Sequence, residues 1–156
     1  MFLFCSRMPP FKTYSDEKYI YSVDMMMAYV NTHKIPVQKI KIEDNLWQLQ
    51  QNVWGDYSPS DILKHPERKK YSENIKRMKE ADLSYPIFMT SKYQIIDGYH
   101  RVLKAVKENK PTLHAYVFDT DLMKKFIVNK ELDFPAVHQR MAIHDLLELY
   151  AKRFCS

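Results

Sequence analysis

Only two glycines, Gly55 and Gly98, occur in the 156 residues of this chain. Glycine is the usual residue wherever the backbone turns left-handed or another group comes close to it. A chain that so rarely uses it marks such a place when it puts Gly98 between Asp97 and Tyr99-His100-Arg101. The same scarcity excludes the glycine-rich phosphate loops, since neither G-x-x-x-x-G-K nor G-x-G-x-x-G is present.

The length suits one domain with a hydrophobic core, so residues 1–156 are expected to form a single domain. A content of 46% hydrophobic and 28% charged residues argues against both disorder and membrane embedding. No apolar run approaches the roughly 20 residues of a membrane-spanning helix. The apolar start Met1-Phe2-Leu3-Phe4-Cys5 is too short for a signal peptide and reads as a strand or tail packed on the domain. An intracellular, cytoplasmic protein is expected. Its two cysteines, Cys5 and Cys155, read as reduced thiols or as a disulfide between the ends, and no zinc spacing is present.

Hydrophobic periodicity orders the elements as α/β, or more strictly α+β. A short helix is expected from Asp24 to Val30, and Ile35 to Ile42 alternates like a half-buried strand. Asp44 or Asn45 is expected to cap a helix presenting Leu46, Leu49 and Val53. Ser58-Pro59 and Pro66 mark helix starts, with Tyr71, Ile75 and Met78 as the buried stripe of a charged helix to Asp82. Pro86 to Met89 and Tyr93 to Ile96 read as two strands joined by a turn. Tyr99 to Asn109 reads as a helix, Thr112 to Phe118 as a strand, and a further helix runs to about Asn129. A last helix after Pro135 runs through Phe154.

A strand ending in Asp-Gly and turning straight into a helix puts unpaired backbone N–H groups and the positive dipole end at one point, which favours anions. His100 and Arg101 lie in the first turn, where a guanidinium fork and an imidazole suit phosphate oxygens. Asp97 is placed to hold Mg²⁺ or orient a hydroxyl. The plainer alternative makes Asp97 a cap, Gly98 a turn residue and Arg101 the partner of a carboxylate. The net charge of +5 favours an anionic partner. Basic clusters at Arg68-Lys69-Lys70 and at Lys76, Arg77 and Lys79 read as a solvated helix face or as a phosphate contact surface. Trp47, Trp54 and Tyr57 read as core or loop-closing residues, or as a stacking platform for a base.

The order of these elements and the string Ile95-Ile96-Asp97-Gly98-Tyr99-His100-Arg101 resemble the ParB/sulfiredoxin-like superfamily from Ile35 to Phe118. That stretch would be the core, a small mixed sheet flanked by helices, with 119–156 as a C-terminal helical extension. The resemblance implies that Gly98, His100 and Arg101 grip nucleotide phosphates, with ATP, ADP or CTP as ligand; Tyr99 is counted with them as a candidate phosphate-binding residue, and Mg²⁺ is expected through Asp97. Sulfiredoxin needs a cysteine where this chain has Tyr99. ParB proteins carry Gly-Glu-Arg-Arg and a longer DNA-binding region after the domain. Locally the chain looks most like the free serine kinases, which carry Asp-Gly-x-His-Arg and a glutamate base after the first strand. Glu43 is the nearest match to that base, and its plainer role is first-turn helix charge.

Three readings follow. One is a nucleotide-dependent phosphotransferase or nucleotide hydrolase, with Asp97 and Glu43 catalytic and a small hydroxyl acceptor such as serine. Another is a ParB-like module that binds or cuts DNA. The third is a non-catalytic nucleotide-binding module. Weak, salt-sensitive nucleic-acid binding at most, and no membrane partner, are expected.

Overall fold

The computed structural model describes residues 12–128 and 143–155. Met1 to Cys5 and Pro135 lie outside the described residues. In chain order the elements begin with β1 (Thr13–Ser15), β2 (Ile20–Ser22), α1 (Val23–Thr32) and β3 (Gln38–Lys41). A 3-10 helix (Glu43–Gln50), α2 (Pro59–Lys64), a 3-10 turn (Lys69–Tyr71) and α3 (Ser72–Glu80) follow. The rest are β4 (Ile87–Thr90), β5 (Ile95–Asp97), α4 (Tyr99–Lys107), β6 (Thr112–Phe118), α5 (Thr120–Lys124) and α6 (Ile143–Phe154). The architecture is mixed α/β, two small sheets flanked by helices.

The contacts group the described residues into two compact units. One is Ile35–Asp119; the other joins residues 12–34 with the described residues from Thr120 onward.

The Ile35–Asp119 unit carries a four-stranded sheet in the order β3-β6-β4-β5. β3 and β6 are antiparallel, β6 and β4 parallel, and β4 and β5 antiparallel. Alternation places Ile40 inward and Lys39 and Lys41 outward on β3, as period two requires of a half-buried strand. The core gathers Ile40, Leu113, Ala115, Ile87, Met89 and Ile95 from the strands with Val102, Leu103 and Ala105 from α4 and Met78 from α3. Ser58 and Asp61 form a reciprocal capping box at the start of α2, with Pro59 in its first turn.

The segment after β3 departs from the expected α-helix. It is a 3-10 helix starting at Glu43 with Ile42 at its N-cap, so neither Asp44 nor Asn45 caps it, and Leu46 and Val53 are exposed. The reason lies in two buried polar residues. Asn45 donates to the Lys41 carbonyl at 2.8 Å. Gln48 donates to Asn45 Oδ1 at 2.9 Å and to the Tyr93 carbonyl at 2.9 Å, and its Oε1 accepts from the Ile95 N–H at 2.7 Å. One glutamine therefore ties the 3-10 helix to the β4–β5 turn. We expect Gln48→Ala to cost about 2 kcal/mol, because it strands a buried donor and acceptor. Hydrogen exchange at the Ile95 amide should quicken more than at β6 amides; equal protection at both would remove Gln48 as the anchor.

Glycine scarcity also shows in the turns. Tyr93 (φ +61°) and Asn109 (φ +57°) take left-handed positions that glycine often fills. Tyr93 thereby belongs to the β4–β5 turn, and β5 starts at Ile95 instead of at Tyr93 as the sequence suggested. The expected helix from Pro66 to Asp82 is likewise shorter, a 3-10 turn followed by α3.

In the other unit, β1 and β2 form an antiparallel hairpin that the sequence did not reveal. The cap of α1 is Ser22, which accepts from the Met25 N–H, while Asp24 accepts from the Lys12 N–H. Tyr29, Phe126 and Phe154 pack ring against ring, and Arg153 donates to the carbonyls of Lys125 and Ile127. These contacts join α6 to α1 and to the residues after α5. Cys155 is exposed; Cys5, its proposed partner, lies outside the described residues. Among the described residues no helix is long and apolar enough to cross a membrane.

Candidate functional site

β5 hands the chain directly to α4 through Gly98. The pairing of β4 with β5 slips just before this point, Phe88 facing Asp97 while Met89 faces Ile95, so Ile96 is the extra residue of a bulge. Gly98 is the N-cap of α4, left-handed at φ +117°, and has no side chain to cap the helix. Its bareness is also a packing requirement. A Cβ here would sit 2.5 Å from Ile87 Cγ2 and 3.1 Å from an Arg101 terminal nitrogen.

Arg101 turns back toward the strand. One terminal nitrogen donates to Asp97 Oδ2 at 2.9 Å. The other donates to the carbonyls of Pro86 at 2.7 Å and Tyr85 at 3.2 Å. The two charged side chains are only 17% and 11% exposed. Arg101 thus staples the start of α4 to the entry of β4, and its charge is already matched by Asp97.

His100 is fixed from two sides. Its Nε2 donates to Asn74 Oδ1 on α3 at 2.8 Å, and Asn74 in turn donates to the Tyr57 hydroxyl at 2.8 Å. The indole of Trp54 stacks on the imidazole, with centroids 4.8 Å apart and planes 21° off parallel. Tyr99 meets the same indole edge-on at 6.2 Å.

The structure therefore brings Asp97, Gly98, Tyr99, His100 and Arg101 into one corner. Glu43 lies exposed at the start of the 3-10 helix and, among the described residues, its side chain makes no hydrogen bond or ion pair. No three His, Cys, Asp or Glu side chains among the described residues group to hold a metal ion. Asp97 Oδ2 is held by the Arg101 guanidinium, so a Mg²⁺ bound through Asp97 would share the carboxylate with that cation. Asn74 and Trp54 join the corner without having been singled out with it. Asn74 was hidden on a charged helix, where its only signal was an amide among Lys, Arg and Glu. Lys76, Arg77 and Lys79 are exposed on that helix, and Arg77 faces Glu73.

No family model, curated protein or solved structure matches the chain.

Proposed function

We propose that the Ile35–Asp119 unit is a nucleotide-binding module of ParB/sulfiredoxin-like type that receives phosphate at the Gly98–Tyr99–His100 turn. The observation that carries this reading is a helix start with no side-chain cap, entered through a left-handed glycine, with an oriented histidine in its first turn. Helix N-termini of this form attract anions through backbone donors and the helix dipole. His100 supplies a side-chain contact beside them. Arg101 contributes indirectly, by holding the turn.

Phosphoryl transfer or nucleotide hydrolysis is a second reading, favoured by the fixed orientation of His100. An imidazole held in place by Asn74 and Trp54 is of the chemical class that moves protons to and from hydroxyls. Glu43 has no comparable support, and no step is assigned to Mg²⁺ at Asp97.

Thermal melts with ATP, ADP, CTP and GTP test the reading. A nucleotide at a hundred times its Kd stabilises the folded state by about 2.7 kcal/mol. We expect at least one to raise the melting temperature, and His100→Ala to shrink that ligand-induced rise relative to the variant's own baseline. No rise with any nucleotide at millimolar concentration would reject nucleotide binding.

A further inference from the structure

Away from that corner, a groove of about 430 Å³ lies between β3, the 3-10 helix and the β4–β5 turn, and none of its lining residues belongs to Asp97–Arg101. Lys39, Lys41 and Lys92 border it against a single carboxylate, Asp44. Among the described residues none of the three lysines is in an ion pair. Trp47 and Tyr93 border it too, 52% and 46% exposed.

Each feature has an ordinary explanation alone. Lysines on an edge strand such as β3 discourage pairing with another chain, and single exposed aromatic residues are common. Their combination is harder to dismiss because Tyr93 is held in place. Its backbone is left-handed at φ +61°, a conformation that costs a residue with a side chain about 1–2 kcal/mol. Its carbonyl is bound by buried Gln48, and its hydroxyl donates to Gln38 Oε1 at 3.0 Å. The fold thus fixes an aromatic ring at the surface when burial would be the cheaper use of it. Lys39 and Lys41 lie on one face of β3, about 7 Å apart along the strand, a spacing that suits successive phosphates of an extended polynucleotide.

We propose that this groove binds single-stranded nucleic acid, with bases stacking on Trp47 and Tyr93 and phosphates meeting Lys39, Lys41 and Lys92. Unpaired lysines beside exposed aromatic rings form the usual sequence-tolerant platform for single strands. Three phosphate contacts give weak, salt-sensitive binding without base readout. A polynucleotide strand supplies both bases to stack on Trp47 and Tyr93 and a run of phosphates for the three lysines.

The test is fluorescence titration of the full chain with a twelve-residue oligothymidylate at low salt. Tryptophan emission should be quenched, and Trp47→Phe should abolish the quench while Trp54 still emits. Replacing Lys39, Lys41 and Lys92 together by alanine should weaken binding at least tenfold and reduce the slope of log K against log salt by about 2. Lys76→Ala with Lys79→Ala on α3 should leave binding unchanged. All these residues are exposed, so the variants should fold. His100→Ala should also leave it unchanged, which separates this site from the nucleotide corner. Absence of a quench, equal loss from the α3 variant, or equal binding of polyglutamate would overturn the proposal.

Discussion

Replacing Gly98 by alanine is expected to lower stability by about 3 kcal/mol. Two costs add. A left-handed backbone disfavours any residue with a Cβ by about 1–2 kcal/mol, and Gly98 sits at φ +117°. The new Cβ would also lie 2.5 Å from Ile87 Cγ2, on a residue with no exposed surface that cannot swing into solvent. Forcing extra volume into such a place typically costs 1–3 kcal/mol. Gly55 provides the internal control, since it too is left-handed, at φ +90°, but has nothing within 4 Å of the added atom. Gly55→Ala should therefore cost only the backbone part, about 1 kcal/mol. Denaturant unfolding of both variants measures the difference, and equal losses would mean that Ile87 yields freely.

Arg101→Ala should cost about 3 kcal/mol as well, for an electrostatic reason. It takes the guanidinium away from the Asp97 carboxylate, 11% exposed, and a donor from the Pro86 and Tyr85 carbonyls. Removing one partner of a pair held mostly out of water is more costly than the pair's net worth. Arg101→Lys keeps the charge but cannot bridge carboxylate and carbonyls with one planar fork, so it should fall between parent and alanine. Asp97→Asn keeps an acceptor for Arg101 and should cost less than Arg101→Ala. It also separates two roles. If Asp97 only partners Arg101, the folded variant binds nucleotide as well as the parent or more tightly; a folded variant that loses binding would make Asp97 a metal or substrate ligand. A parent-like melt for Arg101→Ala would show that the staple contributes nothing.

The turn itself was readable because its signal is local: a strand pattern, Asp-Gly, then a helical pattern. What Arg101 does was not, since its carbonyl partners lie 15 and 16 positions earlier and meet it only through the packing of β4 beside α4. His100 is similar, anchored by Asn74 from 26 positions away. Asn45 and Gln48 misled in another way. Polar side chains suggest solvent, yet both are buried because they serve backbone groups that the 3-10 helix and the β4–β5 turn leave open. The β1–β2 hairpin has strands of three residues, too short for alternation to stand out. Tyr93 escaped for want of a glycine, the residue that ordinarily marks a left-handed turn.

Titration of backbone amide signals with the nucleotide that gives the largest thermal rise tests phosphate binding at α4 most directly. The Gly98–Tyr99–His100 corner predicts saturable shifts of the Gly98, Tyr99, His100 and Arg101 amides, with one dissociation constant and with the Lys39, Lys41 and Lys92 triple variant behaving like the parent. Shifts confined to Lys39, Lys41 and Tyr93, with the first turn of α4 unmoved at saturation, would contradict it.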